Sequence, residues 1–272
     1  MTLLTNAIIL FGIFVVLYLG FKWFNAWVMY TDIRDRKILQ NSDLKLRKVD
    51  FIEFPYLDKD VYDANTRELE ALGFRHIGDM EAVALRQVSN FMPILVRGMM
   101  KDETISVELY QMKTKGFMGF LAKLLSGLRN PHIVSFEVEG MDGRRFMAIR
   151  TPPHLKPYEP PETTVECIPA TCPILQSYEA FEKMYREFLR NNPDFVPRRF
   201  RSFEDILDSA KRQQAARAAF RREVGMLTRD ELLIAGMRPE AIDAHLASFY
   251  KYLEKEERRV AKNRDEYVGK VD

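Results

Sequence analysis

Few side chains in this sequence stand at spacings that support chemistry. Glu137 and Glu139 fall two apart in the alternating run Ile133–Glu139, which puts two carboxylates on one face of a strand. Such a pair can trade a proton in acid–base work. The same alternation, with Phe136 and Val138 on the other side, equally describes the wet face of a half-buried sheet, and that is the reading adopted. Cys167 and Cys172 enclose four residues, which is not the redox Cys-x-x-Cys pattern, and they read as two reduced, partly buried thiols. His76, His132, His154 and His245 each stand without a partner at metal-ligand spacing. Neither a Gly-rich phosphate loop nor a Gly-x-Ser-x-Gly elbow is present. No catalytic, cofactor-binding or metal-ligating residue is therefore named, and no cofactor is expected.

The residues with a legible physical role are those suited to a membrane. From Leu3 to Phe21 there are nineteen residues without a formal charge. As a helix they would span about 28 Å, close to a bilayer's hydrocarbon core. Trp23, Trp27 and Tyr30 follow at i, i+4, i+7, on one helical face, as an aromatic belt would sit at the interface, and Lys22 can snorkel from the same level. The first six residues carry no basic side chain and the run ends in bulky aromatics, so a cleaved signal is not expected. Seven basic residues lie between Lys22 and Lys48. By the positive-inside rule the chain from residue 22 onward lies on the cytoplasmic side of a bacterial inner membrane, with the N-terminus outside.

A second membrane-facing candidate is the segment Lys113–Arg129. Phe117, Phe120, Leu121, Leu124, Leu125 and Leu128 form one apolar stripe, with Lys113, Lys115, Lys123 and Arg129 beside it and no acidic residue from Tyr110 to Phe136. Two readings stay open: a helix packed on a sheet, or one lying in an anionic membrane interface. The interface set is Lys22, Trp23, Trp27, Tyr30, Phe117, Phe120, Leu121, Lys123 and Leu124. A further basic group, Arg198, Arg199, Arg201, Lys211, Arg212, Arg217, Arg221 and Arg222, is interleaved with Glu204, Asp205, Asp208 and Glu223. Lacking aromatic stacking residues, it reads as a solvated helix face, and no nucleic-acid partner is expected. The 41 basic and 39 acidic residues nearly cancel, so bulk charge names no polyanionic partner either.

The elements that must position these residues follow from pattern and punctuation. Residues 1–34 make the transmembrane anchor and its helical extension, and 35–48 a basic connector. Residues 49–175 form an α+β domain. Its strands are expected at Val49–Phe54, Ile77–Val88, Phe91–Met100, Thr104–Tyr110, Ile133–Glu139 and Arg145–Thr151, with a helix at Tyr62–Leu72. Asp142-Gly143 between two alternating runs is the strongest hairpin signal and implies an antiparallel sheet with packed helices. Prolines crowd residues 152–173 and favour an extended segment that wraps the sheet edge. Residues 176–272 are helical: Ser177–Asn191, Phe203–Gly225, a short helix after Thr228, and a last one from Pro239 to about Arg264. The last helix carries the apolar stripe Ile242, Leu246, Phe249, Tyr250 and Leu253, which suits docking on its own chain or on a partner helix.

These features point to a non-enzymatic, single-pass inner-membrane accessory or scaffold subunit. It would present a cytoplasmic α+β domain to a membrane-protein assembly or to further copies of itself, with membrane lipid as a second partner. The alternative is a membrane-tethered module that binds lipid or a small apolar ligand. An enzyme ranks third, because the side chains that chemistry requires are not visible.

Overall fold

The computed structural model describes residues 2–40, 45–87, 92–113, 115, 132–153 and 156–268. The chain divides into two compact units, one made of residues 1–37 with 239–272 and the other of residues 38–238.

The first unit is helical. Helix α1 runs Thr2–Leu39, 38 residues, a rod of about 57 Å. Among the described residues no helix is long and apolar enough to cross a membrane, so the transmembrane segment expected at residues 3–21 finds no support there. Within that run side chains are described only at Phe14 and Leu17–Phe21. Beyond it the helix turns polar, with Lys22 and then Asp32, Arg34, Asp35, Arg36 and Lys37. Helix α6, Pro239–Val268, belongs to the same unit. Tyr30 meets Tyr252 edge-on with ring centroids 5.2 Å apart, and the Arg36 guanidinium lies 5.8 Å from the Phe249 ring centroid. Position rises along α1 as it falls along α6, so the two helices run antiparallel. The apolar stripe of the last helix thus docks within its own chain, and Phe249 is fully buried.

The second unit holds a seven-stranded sheet: β1 Leu46–Val49, β2 Arg75–Ala82, β3 Leu95–Lys101, β4 Ile105–Gln111, β5 His132–Glu139, β6 Arg145–Arg150 and β7 Thr163–Ile168, in that spatial order. With α2 Lys59–Ala71, α3 Ile174–Asn191, α4 Phe203–Val224 and α5 Arg229–Ile234, the described chain is a mixed α+β fold of seven strands and six helices. Neighbouring strands are antiparallel except β6 and β7, which are parallel. The proline-bearing stretch from residue 152 carries the chain back along the sheet, so β7 starts beside the start of β6. This edge strand is a correction to the expected all-antiparallel sheet. Prolines crowd both of its ends but none falls inside Thr163–Ile168.

The expected strand Val49–Phe54 is also corrected. Pairing ends at Val49, and Phe51–Glu53 is a single 3₁₀ turn. Asp50 accepts from the Ile52 amide at 3.0 Å, and Glu53 accepts from the Asp50 amide at 3.2 Å. That reciprocal capping makes the turn a better local solution than extended chain.

Strand alternation gives the sheet two different faces. On the first lie Leu95, Met99, Val107, Leu109, Val134, Phe136, Val138, Phe146 and Ala148, covered by Tyr62 and Leu69 of α2 and by Tyr178, Phe181 and Phe188 of α3. Aromatic rings dominate: Phe181 stacks on Phe136 at 5.2 Å and on Tyr185 at 5.7 Å. The second face is covered by α4. Phe203 and Ile206 pack with Met80, Met100 and Phe200. Gly78, paired with Gly98 across β2 and β3, leaves the hollow that receives Phe203, since a Cβ on Gly78 would meet that ring at 2.7 Å. Ser202 caps α4 by accepting from the Asp205 amide at 3.2 Å, while Asp205 accepts from the Ser202 amide at 3.0 Å.

Candidate functional site

The second face changes character between β4 and β6. Register places Glu108 opposite Ser135, Glu137 opposite Met147 and Glu139 opposite Arg145. Their side chains therefore share the face that α4 covers. Glu137 and Glu139 are 7% and 3% exposed, so they do not form the wet face expected from their alternation. The correction has a physical cause: α4 brings its own polar side chains to meet them. Ser209, Gln213 and Arg217 are spaced i, i+4, i+8, one stripe that continues the line of Ile206.

Glu139 is the most heavily engaged carboxylate. Arg145 donates to it from Nη2 at 2.9 Å, Arg212 from Nε and Nη2 at 3.1 and 3.2 Å, and the Ser209 hydroxyl donates at short range. Arg198 Nε stands 3.1 Å from its Oε1. Burial by itself would raise this carboxyl, but hydrogen bonds from Arg212 and Ser209 and the charge of Arg145 outweigh it and hold the group below the usual carboxylate range. Glu139 is therefore a fixed anion that ties β5 to β6 and α4.

Glu137 and Glu108 sit differently. Glu137 accepts one hydrogen bond, from Ser135 at 3.2 Å, and its nearest guanidinium, Arg145, is 3.7 Å away. Burial pushes its carboxyl up, against the charges of Arg145 and Arg217. Glu108 is also pushed up, from the ordinary 4.5 to about 8, first by burial and then by the charge of Glu137. Tyr110, two residues along β4 on the same face, is likewise raised by burial. Glu159, in the proline-rich stretch, accepts from Arg217 Nε at 2.8 and 2.6 Å. The result is one carboxylate held ionised beside two whose carboxyls burial pushes up, Glu108 to about 8. That arrangement can store or pass a proton, or receive a cation in its place. Among the described residues no group of three His, Cys, Asp or Glu side chains could hold a metal ion.

The other residues marked by sequence fall elsewhere. Lys22, Trp23, Trp27 and Tyr30 lie on α1, with Trp23 70% exposed and Trp27 and Tyr30 each 37%. Phe117, Phe120, Leu121, Lys123 and Leu124 lie outside the described residues. Cys167 and Cys172 are both free and half-buried. His76 contacts Asp79 at 3.0 Å and His132 contacts Gln111 at 2.8 Å, each a local structural pairing. Arg198, Arg212 and Arg217 are corrected from a solvated face to partners of buried carboxylates, whereas Lys211 with Asp208 is exposed as expected. The available signal was the polar stripe on the side of α4 that also carries Phe203 and Ile206.

Comparison of the chain with protein-family models, with curated proteins and with solved structures finds no match.

Proposed function

We propose that this chain is a non-enzymatic accessory or scaffold subunit tethered to a bacterial inner membrane by the apolar end of α1. It presents its α+β unit on the cytoplasmic side to a membrane-protein assembly or to further copies of itself. The observation that carries this reading is the exposure of Phe14 (67%), Leu17 (66%), Tyr18 (57%), Leu19 (56%) and Phe21 (65%). Leu17, Tyr18 and Leu19 are consecutive, so on a helix they point about 100° apart. A groove or a single partner face covers one stripe; side chains exposed all round call for an environment that surrounds the helix, as lipid does. Trp23 follows at the level where an interfacial ring sits, and the basic residues begin only at Lys22.

The second support is the economy of the charged cluster. Glu139 with its guanidiniums and the Ser209 hydroxyl, and Glu159 with Arg217, are engaged within the fold. Such ties hold β5, β6 and α4 together as one rigid presenting surface. A tagged pull-down of the full chain from native membranes in mild detergent tests the reading. Stoichiometric membrane-protein partners, or a defined oligomer, are expected. A monodisperse monomer free of partners would overturn it.

A further inference from the structure

The first face of the sheet carries two arginines, Arg97 on β3 and Arg150 on β6, each 8% exposed, and the fold treats them differently. Arg97 donates from Nε and Nη2 to the two oxygens of Asp79 at 2.9 and 3.0 Å, the side-on fork that grips a carboxylate. Arg150 stands opposite Val134 and donates from Nη1 to the Cys172 carbonyl at 3.0 Å. It has no ion pair among the described residues, and its Nε is buried without a hydrogen-bond partner. Nη2 has no partner there either but is not enclosed, so the free fork keeps contact with solvent at the end of β6. Burial pushes the guanidinium below its ordinary value. Glu68, whose charge draws it the other way, forms no ion pair with it among the described residues. A buried guanidinium left in that state costs free energy, and native folds rarely leave one without reason.

Two further donors are buried without partners, His132 Nδ1 and Asn65 Nδ2. The Asp58 amide donates to Gln111 Oε1 at 3.2 Å, which turns Gln111 Nε2 to His132 Nε2 at 2.8 Å. His132 Nε2 therefore accepts, and Nδ1 carries the ring hydrogen. Burial lowers His132 and so favours that neutral ring. His132 lies two residues from Val134, on the face of Arg150, and the charge of Arg150 reaches it. Asn65 is placed by α2. Tyr62 and Leu69 of that helix are buried against the sheet, and the Tyr62 ring centroid is 6.1 Å from that of His132. Asp63 and Thr66 turn to one side of that line, where both meet Arg97 of β3. Asn65 and Glu68 then turn to the other side, toward β5 and β6, as the charge of Glu68 on Arg150 requires.

We infer that Arg150, with His132 and Asn65, forms a binding site for the carboxylate of a small molecule, held by Nε and Nη2 of Arg150 as Asp79 is held by Arg97. The unpartnered atoms are all N–H donors and one of the groups is a cation, so the site calls for an anion with several acceptor positions. A carboxylate supplies two coplanar oxygens that match the fork, whereas chloride supplies charge alone. The way in is the end of the sheet, where Pro153 and Thr171 are exposed and Cys172 is half-buried.

Thermal melting of the full chain in mild detergent at pH 7 tests this, followed by near-ultraviolet circular dichroism as sodium acetate replaces sodium chloride at constant ionic strength. The melting temperature should rise saturably, by about 2–4 °C at roughly five times the half-saturating acetate concentration. Arg150→Met removes the charge and keeps an apolar stem. It should melt no lower than the wild type in chloride and show no saturable response to acetate. Arg150→Lys keeps the charge without the fork, and its half-saturating concentration should be at least fivefold higher. The site is overturned by the absence of a saturable rise in the wild type, or by an equal rise in Arg150→Met or Arg150→Lys. Melting of Arg150→Met well below the wild type in chloride would also overturn it, because the guanidinium would then be satisfied within the fold.

Discussion

The two compact units treat their large apolar side chains in opposite ways. In the sheet unit Phe136, Phe146 and Phe181 are at most 1% exposed, whereas on α1 Phe14, Leu17, Phe21 and Trp23 are each more than 60% exposed. Both units are rich in aromatics, so composition does not separate them; the supply of covering surface does. The sheet is covered on both faces by helices of its own unit, and carboxylates such as Glu139 and Glu159 are paired there. The outer part of α1 has no such cover among the described residues. The difference teaches that the sheet unit is stabilised from within, while α1 is built to be stabilised by something else.

The largest contrast should come from matched truncations. Phe181→Ala removes a ring packed on Phe136, Phe146, Tyr178 and Tyr185, and should cost about 3–5 kcal/mol in denaturant unfolding of the sheet unit. Leu17→Ala should change that same stability by no more than about 0.5 kcal/mol. Equal effects would erase the distinction between the units. Next in size, Glu139→Gln leaves Arg145, Arg198 and Arg212 facing a neutral amide, and a loss of about 3 kcal/mol is expected because breaking a buried ion pair strands the charges that remain. A loss under about 0.5 kcal/mol would mean the cluster is not structural.

The most specific effect, and the smallest at acid pH, belongs to Glu108. Its folded value stands near 8, above the ordinary 4.5, so the folded chain binds more protons than the unfolded one between those limits. Its contribution is therefore full below about pH 4.5 and is lost as pH rises through about 8. Glu108→Gln should match wild-type stability below about pH 4.5, where the carboxyl is neutral in both states, and exceed it by a growing margin up to about pH 8, flattening the profile. A variant profile that falls as steeply as the wild type would remove Glu108 as the titrating group.

Much of this architecture is legible in the residues. The hairpin at Asp142-Gly143, the short helix capped by Thr228 and the helix starting at Pro239 are local signals, and each element forms where its signal stands. Strand β7 was hidden because Thr163–Ile168 sits among prolines, whose breaking effect acts at its ends and not within it. The turn at Phe51–Glu53 was masked by its own apolar alternation, although Asp50 and Glu53 carried the capping signal. The charge cluster was the least legible part. Glu137 and Glu139 were visible as a pair, yet Ser209, Arg212 and Arg217 lie some seventy residues away, and Glu159 belongs to another segment. Only tertiary packing of α4 on the second face brings them together. Interleaved acids such as Asp208 made that helix look solvated on every side, whereas Asp208 is exposed beside Lys211 and Arg212, one turn on, reaches the buried Glu139.

The measurement that bears most directly on the proposed tether is alkaline carbonate fractionation of membranes containing the full chain, beside the Leu17→Asp, Leu19→Asp double variant. Two aspartates within an apolar run should cost about 5–7 kcal/mol of insertion. The account predicts that the wild type stays in the membrane pellet and that the variant moves to the supernatant with its fold intact by circular dichroism. Release of the wild type into the supernatant would contradict it.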